Sequence, residues 1–151
     1  MNEPTSSCEF GSRPPAARPE SRVLRFQPSF RWEGVPAEEY KVQGADWCAV
    51  RRMTLAGGAG AATAFEVRYF EIEPAGFSSL EHHAHEHVVI VLRGRGQVRL
   101  GDAVHELSFG DTVYVAPHTV HQFSNPHGEE PLGFLCVVDA VRDRPVPATS
   151  P

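Results

Sequence analysis

Short apolar segments rich in β-branched and aromatic residues recur from about residue 47 to residue 138, and Gly- or Pro-containing turns separate them. No segment of useful length carries the 3.6-residue apolar repeat of an amphipathic helix. The predicted strands cover residues 47–55, 65–73, 88–92, 97–100, 103–107, 112–115, 121–124 and 132–138. Many short strands between such turns predict an all-β fold, a sandwich or a small barrel, with little helix.

The two ends of the chain differ in composition from this central part. Residues 1–22 are rich in Pro, Ser and Ala without a periodic apolar pattern, so we expect a disordered leader there. Residues 23–41 carry aromatic side chains between prolines, which predicts an arm that docks onto the barrel or onto a second subunit. We expect the barrel itself at 42–140 and a disordered Pro-rich tail at 141–151.

Length and charge exclude several classes of function. The 151 residues are enough for one domain with a substantial core. The net charge of −5, from 14 Lys and Arg against 19 Asp and Glu, argues against a general attraction to nucleic acid or to an anionic membrane. No apolar run approaches the ~20 residues of a membrane span, and no signal-peptide pattern opens the chain. We therefore expect a cytoplasmic protein.

The cysteines support the same expectation. Cys8, Cys48 and Cys136 are scattered, odd in number and without paired spacing. They are expected to be free thiols in a reducing compartment. Because Cys136 lies in an apolar segment, we expect it to be a small core residue.

Residues 81–87, Glu-His-His-Ala-His-Glu-His, contain four of the chain's eight histidines and run directly into an apolar strand. On a regular strand, one face would carry the odd-numbered polar members of this stretch, Glu81, His83, His85 and His87. Imidazoles held on one face of a rigid strand are what a borderline divalent metal needs. A metal site is therefore the leading hypothesis, and a solvated polar strand end is the simpler alternative.

A distant histidine favours the metal site. His121 begins another apolar-patterned segment after the turn at 116–119, and two histidine-bearing strands can close on one ion. The remaining histidines of this region, His82, His118 and His127, are expected at the surface.

The spacing of these residues resembles the motifs of the cupin superfamily of small jelly-roll barrels. The first cupin motif places His-x-His and, three or four residues later, a third ligand between two glycines. Gly76 opens the match, and Gly94 or Gly96 closes it. The ligand positions are filled, in order, by Glu81, His83 and His87.

The second cupin motif is matched in length throughout. Gly110, His121 and Asn125 occupy its glycine, histidine and asparagine positions. Only its turn residues differ, since Ala116 and His118 replace its Pro and Gly.

The resemblance covers about residues 42–138 and implies a double-stranded β-helix, or jelly-roll, barrel that holds a metal ion. The implied metal ligands are Glu81, His83, His87 and His121. Glu81 has three open alternatives: it ligates the ion, it hydrogen-bonds to a bound water, or it yields its place to His82. Iron or manganese suits this donor set, with nickel, cobalt, zinc and copper as further possibilities.

The same resemblance implies a metal-dependent oxidoreductase of the dioxygenase kind, acting on a small organic molecule inside the barrel. Because the fold hosts many functions, a non-catalytic binding module and a metal-assisted isomerase remain alternatives. His85 and Glu81 are the candidate catalytic groups. A homodimer formed through the N-terminal arm is also expected.

Arg68 raises a separate question, because it lies inside the predicted strand at 65–73. Arginine is usually exposed, which favours the surface. If its side chain points inward, the buried guanidinium needs a carboxylate from the protein or from an anionic substrate. The side chains expected to line the barrel are Val89, Val91, Phe123 and Phe134.

Overall fold

The computed structural model describes residues 19–41 and 46–149. Its strands, numbered in chain order, are β1 (Phe26–Gln27), β2 (Arg31–Trp32), β3 (Glu38–Glu39), β4 (Cys48–Ala56), β5 (Phe65–Phe77), β6 (Glu81–His82), β7 (His87–Arg93), β8 (Gly96–Leu100), β9 (Ala103–Leu107), β10 (Thr112–Val115), β11 (His121–Ser124), β12 (Leu132–Asp139) and β13 (Val146–Pro147). The described residues include no helix long and apolar enough to cross a membrane. The predicted all-β class is confirmed.

Eleven strands form one curled antiparallel sheet, in which β10, β7, β12 and β5 are neighbours in that order. Strand β5 is 13 residues long and pairs with β4 and β12 along most of its length. Its last residue, Phe77, pairs with Ser124 of β11, which in turn pairs with β6 and β8. Because β5 connects these two groups of strands, the sheet closes around a single interior.

The core follows from the alternation of side chains along the strands. On β12, Phe134, Cys136 and Val138 are buried, whereas the residues between them are partly exposed. On β7 the buried positions after the first residue are Val89 and Val91. The expected barrel-lining residues are therefore all in the core.

Two backbone positions in the motif regions are restricted, one by a close approach and the other by its dihedral angle. A Cβ atom on Gly76 would lie 2.8 Å from the carbonyl oxygens of Cys48 and Glu73, so a larger residue would not fit there without a shift. His118 replaces a motif glycine and has the left-handed φ of 64° that glycine adopts easily. Its N–H donates to the carbonyl oxygen of His83 at 2.7 Å, which joins the two motif regions.

The N-terminal arm packs on the outer face of its own barrel. The ring of Phe30 stacks on Tyr69 with 6.0 Å between centroids, and Trp32 approaches the same ring at 5.0 Å. Arg31 pairs with the buried carboxylate of Glu71 at 3.3 Å. The arm therefore docks onto the core, and the homodimer stays a prediction.

The C-terminal segment differs from the disordered tail expected over 141–151. Strand β13 pairs with β6, and the N–H of Ala148 donates to the carbonyl oxygen of Leu80 at 3.0 Å. Backbone pairing of this kind needs no apolar pattern, so composition did not predict it. Of the expected disordered leader at 1–22, residues 1–18 lie outside the described part of the chain.

Candidate metal centre

Two histidines of residues 81–87 and one distant histidine meet inside the barrel. His87 is the first residue of β7, His121 is the first residue of β11, and His83 lies between β6 and β7. One ring nitrogen from each lies within 4.8 Å of the others, and all three residues are buried. The chain thus forms a three-histidine group that could bind a metal.

The stretch that carries the cluster is not one regular strand. Pairing is interrupted between β6 and β7, so His85 lies in an irregular segment. The regular strand over residues 81–87 that a shared face would assume is therefore not formed. Glu81, His83 and His87 are nevertheless buried, as a shared inward face would require.

Hydrogen bonds orient two of the rings. The Nδ1 atom of His83 is 2.7 Å from the carbonyl oxygen of His85, and that of His121 is 2.8 Å from the carbonyl oxygen of Thr119. Since a carbonyl only accepts, each Nδ1 carries the proton and each Nε2 keeps a free lone pair. Metal-binding histidines are typically oriented in this way, by a hydrogen bond from the ring nitrogen that does not bind the metal.

Burial favours the neutral imidazoles that metals bind. It lowers the pKa of His87 to about 2, with the neighbouring His121 and His83 as the next causes. Burial also lowers the pKa of His83 and of His121. All three rings are therefore neutral near pH 7 and ready to act as ligands.

The donor geometry fits a divalent transition ion. The Nε2 atoms of His87 and His121 face each other at 3.3 Å. Two nitrogens bound to one ion at roughly 2.1 Å, at an angle near that of a tetrahedron or an octahedron, lie roughly 3.0–3.4 Å apart. When bound, such an ion would be held by His83, His87 and His121.

The carboxylate of Glu81 is engaged elsewhere. Its Oε2 accepts a hydrogen bond from Lys41 at 2.7 Å, and Lys41 also donates to Ser79 at 2.8 Å. The structure therefore brings Glu81 to the cavity wall but does not group it with the three histidines. His82, its alternative as fourth ligand, is not in the group either.

His85 lies beside the cluster and contacts the C-terminal segment. Its ring stacks on that of His83 at 3.6 Å, and its Nδ1 is 2.7 Å from the carboxylate of Asp143. The same carboxylate accepts hydrogen bonds from the backbone N–H groups of Ala84 and His85. These bonds lower the pKa of Asp143, and the charged carboxylate holds this loop in place.

The histidines form part of one cavity whose walls are mixed in character. Its apolar lining consists of Val50, Phe70, Val89, Phe123, Phe134 and Pro145. Its other polar lining residues are Tyr40, Arg68, Ser78, Glu81, Cys136 and Arg142. An apolar enclosure with a few convergent polar groups is typical of a small-molecule site.

Sequence reasoning missed the role of Cys136. Its Sγ lies 3.5 Å from Nδ1 of His87 and accepts a hydrogen bond from Arg68 at 3.4 Å. Burial raises the pKa of this thiol above its usual range. The expected core cysteine thus also lines the cavity, and its parity with Phe134 on β12 was the signal that could have revealed it.

Arg68 points inward. Its side chain is 16% exposed, and it lines the cavity together with Arg142. Arg142 was missed because it belongs to the segment that we expected to be disordered.

Comparison with known proteins places these features among related sequences. The profile of the cupin domain family (Cupin_2) matches residues 68–138. The chain is 44% identical, over 80% of its length and 76% of the relative's, to the 1-methylthio-D-xylulose 5-phosphate methylsulfurylase of Rhodospirillum rubrum.

Two solved structures are similar in fold and sequence. A cupin 2 conserved barrel domain protein from Rhodopseudomonas palustris superposes with a TM-score of 0.77 and 40% identity, over 85% of this chain and 88% of that one. A cupin-2 domain protein from Rhodospirillum rubrum gives a TM-score of 0.72 and 41% identity, over 84% of each chain.

Proposed function

The chain belongs to the cupin family, and from that premise we propose that it is a metal-dependent enzyme that removes the methylthio group of a 1-methylthio ketose phosphate. The observation that carries the proposal is the thiol of Cys136 beside the three-histidine group in one cavity. The 44% identity to a methylsulfurylase supports the choice of substrate.

The chemistry of such a substrate explains why a thiol is needed. Its methylthio group is attached to C1, next to the ketone at C2. If the C1–S electron pair left with sulfur, C1 would become a cation beside a carbonyl, which is unfavourable. If the pair stays on C1, an enolate forms, and the sulfur must be taken by a nucleophile such as a thiol.

Cys136 is positioned to be that nucleophile. Its sulfur attacks the methylthio sulfur, an S–S bond forms, the C1–S bond breaks, and the electron pair goes to C1. The proton that the thiol gives up is delivered to C1, so a 1-deoxy ketose phosphate and a methyl disulfide on Cys136 result. An external thiol then attacks the methylthio sulfur of this disulfide, and the S–S bond to Cys136 breaks. The methylthio group leaves as a mixed disulfide with the external thiol, whose proton passes to Cys136 and restores its thiol.

The other residues of the cavity have supporting roles in this proposal. A metal ion held by the three histidines would act as a Lewis acid toward the ketone oxygen. His85 and Glu81 line the same cavity and stay the candidates for moving the proton from the thiol to C1. The apolar walls, Phe70, Phe123 and Phe134, exclude water from the enolate.

The dioxygenase-like activity expected from the sequence stays a prediction, as do the metal-assisted isomerase and the binding module. None of them explains a cysteine in contact with one of the three histidines. Iron or manganese is our proposal for the metal, because both accept three imidazoles with positions left for a substrate.

The test uses the full chain loaded with Mn²⁺ or Fe²⁺ under nitrogen, with 1-methylthio-D-xylulose 5-phosphate and no added thiol. We expect one turnover per site and a methylthio group on the peptide that contains Cys136, found by mass spectrometry. Added small thiol should then give many turnovers without oxygen.

Cys136→Ser should abolish both the adduct and turnover, because the hydroxyl is a poor nucleophile toward sulfur. Cys48→Ser is the matched control, since Cys48 is exposed and does not line the cavity. Full turnover by Cys136→Ser, or a strict requirement for oxygen, would contradict the proposal.

A further inference from the structure

Two guanidinium groups share one carboxylate at the wall of the cavity formed by β5, β12 and the C-terminal segment. Arg142 donates to Oε2 of Glu66 at 2.8 Å, and Nε of Arg68 lies 3.9 Å from the same oxygen. Both arginines line the cavity, whereas Glu66 does not.

The charges around the cavity do not balance. The carboxylate of Glu81 is paired with Lys41, and that of Asp143 is held by His85 and its backbone. Among the described lining residues, Arg68 and Arg142 stand against the single carboxylate of Glu81, which leaves one positive charge in excess. The cavity wall is positive although the whole chain has a net charge of −5.

Arg68 has unused hydrogen-bonding capacity. It donates one N–H to the sulfur of Cys136, a weak acceptor, and its buried Nε has no hydrogen-bond partner among the described residues. Desolvating a guanidinium without strong acceptors is costly. An anionic ligand in the cavity would offset that cost.

Hydrogen bonds to the backbone just before it restrict the side chain of Arg142. Its Nη1 donates to the carbonyl oxygens of Asp139 at 2.8 Å and Ala140 at 3.4 Å. The next residue, Asp143, anchors the segment to the loop at Ala84. The guanidinium therefore reaches the cavity from a backbone fixed on both sides, and its orientation costs little entropy on binding.

We infer that Arg142 and Arg68 form an anion subsite that binds the phosphate of a sugar phosphate whose other end reaches Cys136 and the three histidines. A guanidinium fork suits phosphate oxygens, and the negative charge of a phosphate would offset the excess positive charge. The identity of the rest of the substrate rests on the proposed function. The subsite itself rests on the two arginines, on Glu66 and on the unused Nε of Arg68.

The experiment compares D-xylulose 5-phosphate with D-xylulose by titration calorimetry on the full, metal-loaded protein. Hydrogen bonds to charged groups are stronger than those between neutral groups, so the phosphorylated sugar should bind at least about tenfold more tightly. Arg142→Gln should remove most of that preference and leave the affinity for D-xylulose unchanged. Arg68→Lys keeps the positive charge but loses the paired N–H donors of the guanidinium, so it should reduce the preference for the phosphorylated sugar by less than Arg142→Gln does.

Arg52→Gln is the matched control, because Arg52 pairs with Glu38 away from the cavity and should keep the wild-type preference. Equal binding of the two sugars by the wild type, or an unchanged preference in Arg142→Gln, overturns the subsite. If the methylthio substrate is not turned over but the preference depends on Arg142, the subsite stands and the proposed function fails. If the substrate is turned over but Arg142→Gln keeps the full preference, the proposed function stands and the subsite fails.

Discussion

Two buried polar clusters lie on opposite sides of the same sheet and are completed in different ways. The outer cluster consists of Arg31, Tyr69, Glu71 and Arg93, and Glu71, which supplies its carboxylate, is 2% exposed. Arg31 reaches this carboxylate at 3.3 Å, Arg93 at 3.1 Å and the hydroxyl of Tyr69 at 3.4 Å. Its central charge is therefore satisfied by the chain itself.

Within the described part of the chain, the histidine cluster of His83, His87 and His121 is not completed by a charged partner in this way. Its free nitrogens face one another, and burial together with mutual repulsion lowers the pKa of His87. The two clusters therefore differ in whether their buried polar groups find their partners within the chain. A cluster whose charge is paired within the chain contributes stability, whereas a buried group of three imidazole nitrogens could bind a metal.

The largest effect is expected from breaking the outer cluster. Glu71→Ala leaves two partly buried guanidiniums without their carboxylate, which should cost about 3–5 kcal/mol of unfolding free energy. Urea denaturation measures it. Glu106→Ala is the matched control at an exposed position and should stay within ~0.5 kcal/mol. A cost below ~1 kcal/mol for Glu71→Ala would erase the distinction between the clusters.

A smaller effect is expected at the ion pair beside the histidines. Lys41→Met leaves the buried carboxylate of Glu81 without its cation and should cost about 1–3 kcal/mol. The double variant Lys41→Met, Glu81→Gln should recover most of that loss in the same urea experiment. If the double variant is as unstable as the sum of the two single variants, the pair is not coupled as described.

The metal-free protein should lose stability as the pH falls below ~6.5, the pKa of an unfolded histidine. The folded pKa of each cluster histidine is lowered, so the unfolded state takes up protons first and the loss continues toward the folded pKa, about 2 for His87. Each histidine that is protonated in the unfolded state but stays neutral in the folded state lowers the free energy of unfolding by about 1.4 kcal/mol for every pH unit of acidification. In thermal denaturation between pH 8 and pH 5, the melting temperature of His87→Gln should fall less steeply with pH than that of the wild type. An equal fall in the two proteins would contradict the lowered pKa of His87.

The smallest effect on the metal-free fold is expected from the histidines themselves. At pH 8, His121→Gln or His83→Gln should change the unfolding free energy by less than ~1 kcal/mol, since no internal charge pair is lost. The contrast with Glu71→Ala is the informative quantity. A loss of several kcal/mol would mean that the histidine cluster is structural.

Local patterns predicted most of the strands because turn residues and β-branched segments act over short distances. The strands at Thr112–Val115, His121–Ser124 and Ala103–Leu107 were predicted with their observed bounds. The motif spacing also identified the three histidines that meet. What sequence reasoning could not supply were contacts between distant segments, such as Lys41 with Glu81.

The residues that line the cavity were also difficult to predict from local sequence patterns. Cys136 reaches the cavity through side-chain parity on a strand whose partners lie far away in the sequence. Arg142 belongs to a Pro-rich segment with no apolar signal, and hydrogen bonds to the carbonyl oxygens of Asp139 and Ala140 position it. For Arg68 the sequence left a surface position and an inward position open, and in the structure the side chain points inward.

The most direct test of the central claim is elemental analysis by mass spectrometry on protein purified without an affinity tag, beside the double variant His83→Ala, His121→Ala. We predict near-stoichiometric iron or manganese in the wild type and its loss in the variant, with the fold retained. No transition metal in the wild type after reconstitution, or equal metal in both proteins, would contradict the assignment of the three histidines.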